Sequence, residues 1–149
     1  MLDFTKAAEI LKNRQSLHGF DGYSKFCREY GFDKCHYLTQ ALIERLETNK
    51  VILFYLSISK QIIHSAVLLN NKVIDCYGIS DVSDTVLYYN SLNYMTDSYQ
   101  VDGECKHIVI DSNEFDPNIY YSSVAQDKSH FKSVAEKWFD LYGQLKPIT

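Results

Sequence analysis

Apolar positions recur along this 149-residue chain with two different periods, and the change between them occurs after Thr48-Asn49. Before it, Leu2, Phe4, Ala7, Ala8, Ile10 and Leu11 are spaced like one face of a helix, which predicts a helix over residues 3–14 that ends before His18-Gly19. A shorter helical pattern around Tyr23, Phe26, Cys27 and Tyr30 stops at Gly31, and a third follows in Leu38, Ala41, Leu42 and Leu46. Asp33 is available as N-cap of that third helix, which places Cys35 in its first turn. After Asn49 the runs are short and rich in branched and aromatic residues. Val51 to Ser59, Ile62 to Leu69, Lys72 to Tyr77 and Lys106 to Asp111 read as strands, the third ending at Gly78. A helix starting near Ser83 and running through Val86, Leu87 and Leu92, and a last one capped by Asp127 and ended by Gly143, complete the pattern. The last helix has a stripe of Phe131, Val134, Ala135, Trp138, Phe139 and Tyr142, read as core. Helices before and after a mainly antiparallel sheet predict an α+β fold.

Asn70-Asn71 is a turn signal between two of these strands. With a two-residue loop there, His64 is expected to face Tyr77, and Ala66 to face Asp75. Side chains alternate with period two, so His64 and Asp75 then share a face as diagonal neighbours, ~7 to 8 Å apart along the backbone and within side-chain reach. A loop longer by one residue would put them on opposite faces.

Length and composition narrow the classes of function. The chain has the size of one domain, with hydrophobic residues at 46%, charged residues at 23%, and neither a linker-like tract nor an internal repeat. The formal charge of -4 excludes a broad electrostatic grip on phosphate backbones, so no nucleic-acid partner is expected. Apolar runs of strand length only, with no leader-like N-terminus, predict a protein that neither spans nor anchors in a membrane and works in the cytoplasm. Cys27, Cys35, Cys76 and Cys105 contain no CxxC pair and are expected to be reduced thiols. Twelve tyrosines suit half-wet surfaces or a partner-binding face.

The candidate chemistry is nucleophilic. A thiol at a helix N-terminus beside an imidazole is held as thiolate at neutral pH, and an acid beyond the imidazole fixes its orientation. Cys35, His64 and Asp75 supply those three groups. Cys27 is a weaker alternative, because its helix has already begun. Cys76 alternates away from Asp75 and reads as packing. Cys105, His107 and Asp111, with Cys35-His36, offer zinc-ligand types but lack the paired spacing of structural sites, so no metal is expected.

Cys-His-Tyr-Leu-Thr-Gln-Ala-Leu at 35–42, His-Ser-Ala-Val-Leu-Leu at 64–69 and Lys-Val-Ile-Asp-Cys-Tyr-Gly at 72–78 resemble a papain-like cysteine enzyme. The order of a cysteine on a helix start, a histidine opening a strand and an aspartate on the next strand is similar to that of transglutaminase-like and arylamine acetyltransferase-like members. The resemblance implies a single papain-like α+β domain over residues 1–149, Cys35 as nucleophile, His64 as base and Asp75 as orienter, and no metal or organic cofactor. It departs from the family where Glu29 and Tyr30 stand in place of the glutamine that helps form the oxyanion hole; backbone N–H groups at the helix start, that of Cys35 included, are the substitute. The implied activity is a cysteine hydrolase or acyltransferase on an amide or ester bond: a peptidase, amidase, deamidase or transferase with a protein, peptide or small-molecule substrate. The alternative is a noncatalytic inhibitor or adaptor that binds protein through the same fold.

Overall fold

The computed structural model describes residues 4–19, 35–94, 98–116 and 128–142. It contains helices α1 (Phe4–Gly19) and α2 (Cys35–Leu46), strands β1 (Lys50–Leu56), β2 (Ile62–Leu69), β3 (Lys72–Asp75) and β4 (Gly78–Asp81), then α3 (Val82–Tyr94), the short α4 (Ser98–Asp102), β5 (Cys105–Asp111) and α5 (Lys128–Tyr142). The strands form one antiparallel sheet of order β4-β3-β2-β1-β5, so the expected α+β class is observed. β1 to β4 form a meander. β5 returns through α3 and α4 to the far side of β1.

The β2–β3 hairpin has the expected register. Leu69 pairs Lys72, Leu68 pairs Val73 and Val67 pairs Ile74. Asn70 and Asn71 both have positive φ, 51° and 63°, the backbone that a two-residue type I′ turn requires and that asparagine tolerates.

Three boundaries differ from expectation. β1 ends at Leu56, because Lys60 N–H turns back to the Leu56 carbonyl at 2.8 Å and Lys60 itself has φ 65°. β3 ends at Asp75 rather than Tyr77: the Asp75 carboxylate accepts the Tyr77 N–H at 2.9 Å, Cys76-Tyr77 turns, and Gly78, with φ +93°, opens the unforeseen strand β4. Tyr77 therefore does not oppose His64 on a ladder. A Cβ at Gly78 would also stand 3.0 Å from the Tyr142 ring, so both backbone conformation and packing call for glycine there. Finally, α1 passes through His18 to Gly19 instead of stopping at residue 14. Arg14 anchors that extension: it is buried, with its guanidinium 4.4 and 4.3 Å from the ring centres of Tyr77 and Tyr88.

Both sheet faces are covered. Alternation places Val51, Leu53, Ser65, Val67 and Ile74 on one face, where α2 packs and α5 packs on α2. Ile52, Phe54, His64, Ala66 and Val73 lie on the other, where Tyr89 of α3 meets the rings of Phe54 and His64. Trp138, expected in the core, is fully buried, as are Phe54, Leu42 and Ile52. The cap residues Asp33, Asp127 and Gly143, the pattern around Tyr23 to Gly31 with Cys27, and the Phe131 side chain lie outside the described residues.

Candidate active site

The site lies at the end of the sheet where β2 begins and β3 finishes, and the tip of α2 comes to the same end. Cys35 is the first residue of α2, in the turn whose backbone N–H groups have no partner within the helix. His64 is the third residue of β2, and Asp75 the last of β3. The shared face set by the Asn70-Asn71 turn brings His64 Nε2 to 2.9 Å from Asp75 Oδ2. The other Asp75 oxygen accepts the Tyr77 N–H, so the turn that ends β3 also fixes the carboxylate. Asp75 is held a third way, through its backbone, since Trp138 Nε1 donates to the Asp75 carbonyl at 2.6 Å and the Tyr142 hydroxyl donates to that of Cys76.

All three groups are buried: Cys35 is 5% exposed, His64 0% and Asp75 2%. Burial disfavours charge on each, and pairing reverses its effect. Burial alone pushes the Cys35 thiol up, but hydrogen bonding and charge from His36 and His64 outweigh it and bring the thiol down to about 5. Burial likewise pulls His64 down, while Asp75 and Cys35 raise it to about 9. Burial of Asp75 is opposed by His64, by the Arg14 charge and by the Tyr77 N–H, and its carboxyl is held below the ordinary carboxylate range. With Nε2 engaged by Asp75, Nδ1 is the His64 ring nitrogen left for the Cys35 thiol. Through hydrogen bonding and charge each of the two favours the ionised form of the other. Thiolate and imidazolium are the favoured pair from about pH 5 to about pH 9.

His36 is the second imidazole at the thiol, and the sequence offered it only as a zinc-ligand type. Proton counting settles its orientation. Thr39 Oγ1 donates to the Cys35 carbonyl at 3.0 Å, so in its 2.9 Å bond with Ser65 Oγ it accepts. The single Ser65 proton is thereby spent, and the 2.6 Å bond between Ser65 Oγ and His36 Nδ1 must be donated by His36. A directed chain from His36 through Ser65 and Thr39 to the Cys35 carbonyl leaves His36 Nε2 as the ring nitrogen outside the chain. The sequence signal was present in Thr39 at i+4 from Cys35, but only the packing of α2 on β2 brings Ser65 between the two side chains.

The remaining candidates separate. Cys76 is buried in the turn, and Cys105 is buried at the start of β5, where desolvation first and then the Glu104 charge push its thiol up to about 12. Among the described residues no group of histidine, cysteine and carboxylate side chains is arranged to hold a metal ion, so Cys105, His107 and Asp111 do not converge with Cys35 and His36. A groove of about 820 Å³ runs beside α3 over Ile52, Leu68, His107 and Val109 without reaching the three residues. Phe54, in ring contact with both His64 and His107, stands between the groove and the site. No helix among the described residues is long and apolar enough to cross a membrane. Comparisons with protein-family models, curated proteins and solved structures gave no match for this chain.

Proposed function

We propose that this chain is a papain-like cysteine hydrolase or acyltransferase acting on an amide or ester carbonyl in the cytoplasm. The observation that carries the reading is the assembly of Cys35, at a helix N-terminus, with a histidine whose far nitrogen is bonded to a buried aspartate. Cys35 and Cys105 are free thiols, which suits a reducing compartment.

In this reading the Cys35 thiolate attacks the carbonyl carbon, forming a C–S bond as the carbonyl electron pair moves to oxygen. N–H groups at the start of α2 stabilise that oxyanion. The intermediate collapses by breaking the bond to the leaving amine or alcohol, which takes a proton from the His64 imidazolium. Neutral His64 then removes a proton from water or an acceptor amine as it attacks the thioester, and the thiolate departs. Asp75 keeps the His64 ring aligned through both steps.

The near-complete burial of Cys35 favours a second reading, a noncatalytic protein-binding module on the same scaffold. Alkylation of the folded chain by iodoacetamide from pH 4 to 9, with the modified cysteines mapped by mass spectrometry, separates the two. The enzyme reading expects Cys35 to be modified with a midpoint near the low thiol value, ahead of Cys76 and Cys105. A Cys35 that reacts only after unfolding would support the binding module.

A further inference from the structure

The two edges of the sheet differ. β4 has four residues and begins at a glycine that Tyr142 covers, whereas β5 has seven, with no proline and no bulge in its ladder with β1, and its charged residues, Lys106 and Asp111, flank an uncharged stretch from His107 to Ile110. Ile108 is 50% exposed and Val109 43%. Two flanking hydrogen bonds fix the direction of the β5 backbone. Ser57 N–H donates to the Glu104 carbonyl and Ser112 N–H donates to the Asn49 carbonyl, so residues 104 and 112 both turn toward β1. Along an antiparallel strand the N–H and C=O of one residue point the same way and those of the next point oppositely. The even residues of β5 therefore bond β1, and the odd ones point away from it. Cys105 N–H is taken by Asn90 Oδ1 at 2.7 Å. The backbone groups of His107, Val109 and Asp111 face away from β1, at an edge where no described strand pairs with them.

We propose that β5 pairs antiparallel with β5 of a second copy of this chain about a two-fold axis at Val109, joining the two sheets into one. Centred there, the open groups match one for one: the N–H and C=O of each Val109 meet those of the other, and those of His107 meet those of Asp111. The side chains match as well. A two-fold axis perpendicular to the sheet keeps each face continuous, so imidazole stands opposite carboxylate on the face bearing Val109, and Ile108 stands opposite Ile110 on the other. Moving the axis to Ile108 would oppose His107 to Val109 and Lys106 to Ile110, and moving it to His107 would oppose histidine to histidine. The self-complementarity favours a second copy over an unrelated extended peptide, for which the alternation of His107, Val109 and Asp111 has no special match.

The test uses the full chain. Sedimentation equilibrium at up to about 100 μM, a concentration that fills a micromolar site, is expected to give a dimer. Val109→Cys is expected to be joined to its own counterpart by a short bifunctional thiol cross-linker, because opposed residues of a hydrogen-bonded antiparallel pair stand at about 5.5 Å between Cα atoms, with Cβ atoms slightly too far apart for a direct disulfide. Lys106→Cys, away from the axis, is not. Val109→Pro removes an outward N–H without touching the β1 ladder and is expected to give a folded monomer by circular dichroism and sedimentation. A wild-type monomer at 100 μM would overturn the proposal. So would a dimer that persists in Val109→Pro, a Val109→Cys dimer that does not cross-link, or an edge that binds extended peptides while the chain stays monomeric.

Discussion

Cys35 and Cys105 each open a secondary-structure element, and each is almost fully buried, at 5% and 3% exposure. Their thiols nevertheless move in opposite directions, to about 5 and to about 12. The first opens a helix and has two imidazoles beside it. The second opens a strand, where, among the described residues, the charge acting on it is that of Glu104. Burial raises both thiols, and the sign of the neighbouring charge decides the outcome. A buried thiol at the start of an element keeps its proton by default and gives it up only where neighbouring hydrogen bonds and charge favour the thiolate.

The largest effect should come from removing the activated thiol. Cys35→Ala is expected to abolish the ultraviolet thiolate step centred near pH 5, whereas Cys105→Ala leaves it in place; a step that survives Cys35→Ala would assign it to another cysteine. Cys35→Ala should also end turnover of any amide or ester substrate. Asp75→Asn comes next in size, with a loss of turnover that may reach ~10⁴-fold by analogy with serine triads, and less where the thiolate is already formed. Unchanged turnover in that variant would reduce the site to Cys35 and His64.

His64→Ala should make Cys35 behave more like Cys105. Its thiolate midpoint is expected to rise, and alkylation at pH 5.5 to slow by about tenfold or more, the lost thiolate fraction being partly offset by the greater intrinsic nucleophilicity of a higher-pKa thiolate. At neutral pH these two effects nearly cancel, so the acid limb is the informative one. His36→Gln should move the same midpoint upward by less. An unchanged midpoint in both variants would leave only the helix terminus to explain the low value.

The pair should also leave a signature in stability. Cys35, lowered from 9.0 to about 5, adds stability that grows as pH rises through that interval. His64, raised from 6.5 to about 9, adds stability that is full below 6.5 and is lost as pH rises to about 9. The combined contribution therefore rises between about pH 5 and 6.5 and is then level to about 9, measurable as the difference in urea unfolding between the wild type and the double variant Cys35→Ala, His64→Ala. The smallest effect concerns the support of Asp75: Trp138→Phe strips one donor from its carbonyl and should cost about 1 to 3 kcal/mol, read from the same unfolding curves.

Local chemistry made part of this site legible without the fold. The period change after Asn49 separated helices from strands, the Asn70-Asn71 pair set the hairpin register, and that register alone placed His64 and Asp75 on one face. Turn type and side-chain alternation act over a few residues, so they can be read from a few residues. The end of β3 could not, because it depends on a carboxylate that bonds a backbone N–H two residues on and on Trp138 and Tyr142, which arrive from the far end of the chain. The same is true of Arg14, buried against two tyrosines more than sixty positions away, and of His36, whose orientation depends on a serine from another element. The sequence by itself determined which residue types were available and which of them shared a strand face. Tertiary packing decided which charges surround each buried thiol, because desolvation and charge–charge interaction depend on distance in space, which hydrophobic periodicity does not encode.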